Sequence, residues 1–540
     1  MLNRKPFHFI CGAFGALAAV SVLAAAQSVE APRIEHKGDR YALMVEGKPY
    51  LALGGQIHNS SAWPSELPQV WASMEALHAN TIEAPAYWEQ IEPVEGQFDF
   101  SNVDALIEGA RAHNLHMVLL WFGTWKNGNA HYVPTWVKQD AKKYPRTIRP
   151  DGEPIDVLSP LGKATLEADK KAFVALTKHL KQVDGDRHTI IAIQVENESG
   201  NVGSDRDHSP EANKLFAAQV PGEALKATGK QTAGTWAEVY KGEADEVFQA
   251  YYQAKYINEI AAAGKQEFNI PFYINVWLDY PVAQLAQRQL DQPGVGYPSG
   301  GPVQKRVGMW RALATSIDMV GPDIYADDSP WYREIIKTYH RADNPLWIPE
   351  TGRSDEYSKF FFYALGNGAL GFAPFGVDRT GWNITGDASW NGHAENFALV
   401  KPWADVLAGL IFEGKVKTSV EEPGSSSEEV SLNGWQATVA FGFPQADGRR
   451  APGTKDAHGA ALIAQTGADE FVLMGKDASV IFHLPGKLPW QHSEFLTAEE
   501  GAYVNGVWKT DRLLNGDETD RGICFFGAHG KLVRVRMNRF

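Results

Sequence analysis

Ile191–Gly200 reads IAIQVENESG, an apolar strand that ends in two glutamates around an asparagine. Carboxylates at the end of an apolar strand are costly unless they are paired, hydrated or used in chemistry. Alternation puts Gln194, Glu196 and Glu198 on one face of the strand and Ile191, Ile193 and Val195 on the other. If the apolar set packs on helices, the polar set faces the lumen of a closed sheet. Two residues advance about 6.6 Å along a strand. Glu198 is therefore expected at the C-terminal mouth, with Glu196 a layer deeper in the lumen.

Seven further short apolar runs accompany this one between about residues 50 and 376. Before it come YLALGGQ (from 50), TIEAPAYW (81) and HMVLLWFG (116). After it come PFYINVW (271), MVGPDIY (319), PLWIPETG (345) and GALGFAPFG (368). Amphipathic helical stretches lie between them. Leu67, Val70, Trp71, Met74 and Leu77 share one face, as do Val103, Leu106, Ile107 and Ala110 after a candidate N-cap at Ser101. Longer helical patterns cover 160–182 and 245–265. Alternating strands and helices imply parallel pairing, and eight such units imply a closed (β/α)8 TIM barrel. The alternative, an open doubly wound sheet, would carry a glycine-rich phosphate loop after its first strand, which GGQIHNSSAW matches poorly. Residues 201–240 read as a large loop over the barrel mouth.

Past about residue 415 the character changes. EEPGSSSEEV (421–430) reads as an exposed loop, followed by WQATVAFGF, ALIAQTG, EFVLMG, SVIFHL and KLVRVRMNRF. These alternating strands predict an all-β, sandwich-like C-terminal domain over 413–540, after a barrel with an N-terminal hairpin over 27–412. Residues 1–26 combine Arg4 and Lys5, an apolar run and Ala24-Ala25-Ala26, the pattern of a secretory signal cleaved before Gln27. The apolar run is shorter than the roughly 20 residues of a spanning helix, and no membrane span is expected in the mature chain. The expected location is periplasmic or extracellular.

The formal charge is −14, and −16 once Arg4 and Lys5 leave, which argues against nucleic acid as a partner. The two cysteines are Cys11, inside the leader, and Cys524, expected to pack in a strand. No disulfide is then possible in the mature chain, and no His/Cys/Asp cluster suggests a metal. No cofactor is expected.

A second acid, Glu350 in PLWIPETG, takes the equivalent place on the seventh strand. Chemistry in such barrels happens at the C-terminal mouth, with residues from several strand ends. Two carboxyl groups facing each other there suit glycoside hydrolysis: one protonates the leaving oxygen, and the other attacks the anomeric carbon or activates a water. A lone glutamate at a strand end is more often simply solvated; the pair on strands four and seven, with Asn197 before the first, carries the reading.

In these motifs the chain resembles the retaining (β/α)8 glycosidases, and more specifically the family 35 β-galactosidases. VEGKPYLALGGQIHNSS, NTIEAPAYWEQIEPVEGQFDF and QVENE occur in the family's order, and the likeness covers roughly residues 40–400. The resemblance implies a retaining exo-β-galactosidase acting on galactosylated oligosaccharides, with plant xyloglucan-type side chains suggested by analogy. Glu198 would be the general acid/base and Glu350 the nucleophile. Asn197 would hydrogen-bond the sugar 2-hydroxyl, Tyr325 would orient the nucleophile, and Tyr87 would line the galactose site. The chain departs from the family after strand three. Lys126-Asn127-Gly128 stands near where members carry an acid that grips galactose, and Asn127 could take over one hydroxyl contact. Trp125, Trp277 and the 201–240 loop are expected to lengthen the cleft. The alternatives are another retaining glycosidase of the clan, family 42-like or a β-glucosidase, and a non-catalytic carbohydrate-binding barrel.

Overall fold

The computed structural model describes residue 1 and residues 30–279, 291–378, 390–442, 458–486 and 492–540. The secretory signal expected over 1–26 lies outside the described residues, apart from Met1. A three-stranded antiparallel sheet opens the chain: β1 (Arg33–Lys37), β2 (Arg40–Val45) and β3 (Lys48–Tyr50). The barrel follows with β4 (Ala52–Gln56), β5 (Thr81–Tyr87) and β6 (His116–Lys126). A small antiparallel pair, β7 (Arg146–Ile148) and β8 (Pro154–Leu158), precedes β9 (Ile190–Asn197). The last barrel strands are β10 (Phe272–Trp277), β11 (Met319–Ile324), β12 (Ile348–Thr351) and β13 (Gly371–Pro374).

Each of the eight apolar runs supplies one barrel strand, all paired in parallel, and β13 closes on β4 through Gly371 beside Ala52 and Phe372 beside Leu53. The lumen is narrow at this seam. A Cβ on Gly54 would come within 2.7 Å of the Ala373 Cβ, so the turn of the barrel wall needs a residue without one. Helices Leu67–Ala76 and Ser101–Ala112 bury the faces expected from their periodicity. The cap of the second differs. Phe100 is the N-cap, and the Ser101 N–H donates to Asp99 Oδ1 (2.9 Å), so aspartate rather than serine supplies the capping oxygen.

Residues 201–240 form short helices, Pro210–Phe216, Gly222–Ala227 and Trp236–Tyr240, and not an open loop over the mouth. Trp236 meets the rings of Phe248 and Tyr251 on the long helix Ala244–Glu267, and Glu223 accepts from the Tyr251 hydroxyl. Aromatic burial on that helix face draws the segment away from the cleft.

The C-terminal strands form a six-stranded and a four-stranded antiparallel sheet. Between them Trp435, Phe471, Phe482, Val480 and Val533 make a core, with Cys524 buried among them on Ile523–Phe526. The end of EEPGSSSEEV is itself strand, because Ser427–Leu432 pairs with Trp435–Phe441. The strands Ala460–Gln465 and Glu470–Lys476 of the six-stranded sheet are buried on both faces: Leu462, Val472 and Met474, with Leu532 beside them, belong to the core of the barrel. Among the described residues no helix is long and apolar enough to cross a membrane.

Candidate active site

The C-terminal ends of the barrel strands converge on one cavity of about 990 Å³. Lys126 reaches it from β6, Glu198 from just past β9, Trp277 from β10, Asp323 from β11 and Glu350 from β12. This is the size and place expected of a small-molecule site in such a barrel.

Glu350 sits directly beside Asp323 in the β11–β12 register, so both side chains leave the sheet on the same side. Two donors hold the Glu350 carboxylate: the Tyr325 O–H donates to Oε1 (2.5 Å) and the Gln56 amide to Oε2 (2.9 Å). Glu198 lies opposite. Oxygens of Glu198, Asp323 and Glu350 all fall within 4.8 Å of one another, close enough to hold a cation. The Glu198 backbone takes a left-handed φ of +43°, a conformation that costs a non-glycine residue energy unless its surroundings fix it. They do: its N–H donates to Asn275 Oδ1 (2.9 Å), and its carbonyl accepts from the Gly128 N–H (3.0 Å). Burial pushes the Glu198 carboxyl up to about 7. The nearby Glu350 adds to that rise, while the Lys126 charge and a hydrogen bond with Asp323 oppose it. A carboxyl group raised toward neutral pH beside a carboxyl held by two donors is an arrangement in which one group can exchange a proton while the other stays fixed in place.

Glu196 is not a lumen group. Its φ is +65°, and the β6–β9 register slips between Trp121 and Lys126, so strict alternation ends one residue before it. The side chain turns outward, where Oε1 accepts from the Thr124 N–H (3.1 Å) and Oε2 from the Trp125 N–H (2.7 Å). It meets Asp169 of the helix Lys163–Asp184, and that carboxyl in turn accepts from Trp121 Nε1 and Thr124 Oγ1. Burial raises both acids, the condition of a pair that shares a proton. Glu196 thus shapes the end of β6. Glu196→Ala would strand two buried N–H groups, and we expect a loss of about 3 kcal/mol or more in urea unfolding; an unchanged midpoint would contradict this role.

The other expected residues separate into two groups. Trp277, Asn127 and Tyr325 line the cavity, and the Lys126 ammonium hydrogen-bonds Asn127 Oδ1. Asn197 is fully buried, and among the described residues neither atom of its amide has a partner, leaving donor and acceptor capacity beside Glu198. Tyr87 stands behind the wall, stacked on Tyr132 (5.1 Å), with its hydroxyl accepting from the Ala62 N–H (3.2 Å); Tyr132 is the ring that faces the cavity. Trp125 is buried against Tyr256 and reaches no cleft, and none of residues 201–240 lines the cavity. The aromatic walls come instead from Trp63, Tyr132, Trp277 and Phe375. Sequence reasoning also passed over Gln56, Asn275 and Asp323. The signal for Asp323 was present: in GPDIY it stands two residues before Tyr325, on the same face of the strand.

A second group of acids with a histidine, Asp205, His208 and Asp245, has ligand atoms equally close together. His208 Nε2 and Arg206 Nε already pair with Asp205 and Asp245 there.

Residues 42–275 match the family profile of Glycosyl hydrolases family 35, and residues 393–526 match a Domain of unknown function (DUF5597). A β-galactosidase of Xanthomonas manihotis is 28% identical over 212 residues, which are 37% of this chain and 32% of that protein. Beta-galactosidase-1-like protein 3 of Homo sapiens is 27% identical over 182 residues, 32% of this chain and 25% of that protein. The chain thus spans a third or less of the length of these relatives. A solved β-galactosidase from the psychrophilic Marinomonas ef1 has 12% identity and a TM-score of 0.47, covering 69% of this chain and 62% of that one. The family 35 match ends before Asp323, Tyr325 and Glu350.

Proposed function

We propose that this chain, whose residues 42–275 match the family 35 profile, is a retaining exo-β-galactosidase. The observation that carries the reading is the approach of Glu198 and Glu350 to within 4.8 Å across the barrel mouth. Double displacement needs the two carboxyl groups about 5–5.5 Å apart, whereas inversion leaves about 6.5 Å or more for a water. Glu350 attacks the anomeric carbon as the glycosidic C–O bond breaks, and Glu198 gives its proton to the departing oxygen. Glu198, now a carboxylate, then takes a proton from a water whose oxygen attacks the same carbon and releases Glu350. The unpartnered amide of Asn197 supports a contact to a sugar hydroxyl, and the aromatic walls suit sugar faces. Galactosylated oligosaccharides, of the xyloglucan side-chain type, are the proposed substrates, met after export through the 1–26 leader.

The test follows the first product by proton NMR on an aryl β-galactoside, with aryl glucoside, fucoside and arabinoside beside it. We expect β-galactose to appear first and mutarotate later, and the galactoside to be turned over fastest. An α-configured first product would overturn retention, and a faster glucoside would overturn the sugar assignment.

A further inference from the structure

Three carboxyl groups, not two, meet at the mouth. Asp323 is buried at 2% exposure, and its two oxygens are in different circumstances. Oδ2 accepts from the Asn275 amide nitrogen at 2.7 Å. Oδ1 is shut off from solvent and, among the described residues, no donor reaches it. What does lie within reach of Asp323 is the carboxyl of Glu198, with Glu350 alongside. Two buried carboxyl groups this close resist ionising together, and a proton held between them relieves the repulsion. Asn275 decides which oxygen can carry it. By donating to Oδ2, its amide makes that atom the carbonyl-like acceptor and leaves Oδ1 as the hydroxyl. The same Asn275 accepts the Glu198 N–H through Oδ1, so one side chain fixes both partners.

We propose that Asp323 is a positioning residue, an acid that keeps its proton through the cycle and donates it in a hydrogen bond to Glu198. This rests on the reaction proposed above and adds to it. In the first step Glu198 loses its proton to the leaving oxygen, and a donor already in place receives the carboxylate that results. In the second step the same donor keeps the carboxylate oriented while it takes a proton from water. Among the described residues, the charged and titratable groups that act on Glu198 besides Asp323 are Lys126 from β6, Glu350 from β12 and Tyr325 from the end of β11, with Glu83 and Tyr273 near Glu350. Lys126 is the one cation in that set. Burial and the two neighbouring glutamates raise Asp323 well above the ordinary carboxylate range, in the same direction as the geometry.

The experiment compares the wild type, D323A and D323N in two ways. The pH profile of kcat/KM on an aryl β-galactoside is measured first. D323A removes the donor, so kcat/KM should fall about tenfold or more, and the alkaline limb should move to higher pH as Glu198 holds its proton more tightly. D323N can present its Oδ1 to Asn275 and its N–H to Glu198; it should recover most of that loss and keep the limb where the wild type has it. If D323N instead moves the limb to lower pH, Asp323 is an ionised group and the proposal falls. The second readout is the infrared difference spectrum, wild type minus D323N, at a pH about one unit above the Glu198 transition. A protonated-carboxyl C=O band should be present there, and its absence would overturn the proposal. The spectrum needs no substrate, so a wild type that hydrolyses no galactoside would sink the proposed reaction without touching the proton on Asp323.

Discussion

Glu350→Gln is expected to lower kcat on an aryl β-galactoside by about four orders of magnitude or more, with thermal melting little changed. The amide cannot supply the electron pair that forms the glycosyl–enzyme bond, and among the described residues the two acids beside it, Glu198 and Asp323, are turned to each other. Asp323 has one oxygen already engaged by Asn275. The fold should tolerate the change because the side chains are the same size. Oε1 and Oε2 of Glu350 are met by Tyr325 and Gln56, and a tyrosine hydroxyl can accept from the new N–H as readily as it now donates. A smaller variant, Glu350→Gly, opens the nucleophile's space to azide, and the product should then be the α-galactosyl azide, since only one displacement has occurred. A loss below tenfold in E350Q, or a β-azide from E350G, would remove Glu350 from the nucleophile's role.

The barrel was legible because its eight strands are short apolar runs separated by amphipathic helices, a periodicity each segment carries by itself. Glu198 and Glu350 were legible for the same reason, each being a charged residue at the end of such a run. Glu196 was not. Whether it points in or out depends on a left-handed φ of +65° and a register slip against β6, both fixed by Thr124, Trp125 and Asp169 from elsewhere in the chain. Period-two alternation cannot see such a bulge. Trp125 was misplaced by the same slip. Residues 201–240 carry their apolar residues in short, interrupted clusters and read as loop, yet Trp236 and Glu223 find partners on the helix Ala244–Glu267 that only the tertiary fold brings near. Asp323 shows the opposite limit: its strand face was readable, but its significance lies in pairing with Glu198, 125 positions earlier.

Glu198→Gln should separate the catalytic use of the acid from its cost to the fold. On a galactoside with a poor leaving group, kcat/KM should fall by roughly 10²–10⁴-fold, because no proton meets the departing oxygen. With dinitrophenolate as leaving group the first step needs little protonation, so a burst of dinitrophenolate should precede a slow steady state. The stability effect has a sign that follows from the pair of pKa values. Unfolded, Glu198 ionises near 4.5; folded, it is raised to about 7, chiefly by burial. Between those values the unfolded chain releases a proton that the folded chain keeps. The contribution is therefore fully present below about pH 4.5, is lost as pH rises through about 7, and stays lost above it. A shift of that size corresponds to about 3 kcal/mol at most. Glutamine is neutral throughout, so E198Q should lack this decline. Urea unfolding should find the variant and wild type similar near about pH 4. Near about pH 8 the inactive variant should be the more stable of the two. An E198Q protein whose stability falls with pH as steeply as the wild type would mean that Glu198 is already ionised in the fold and cannot be the proton donor.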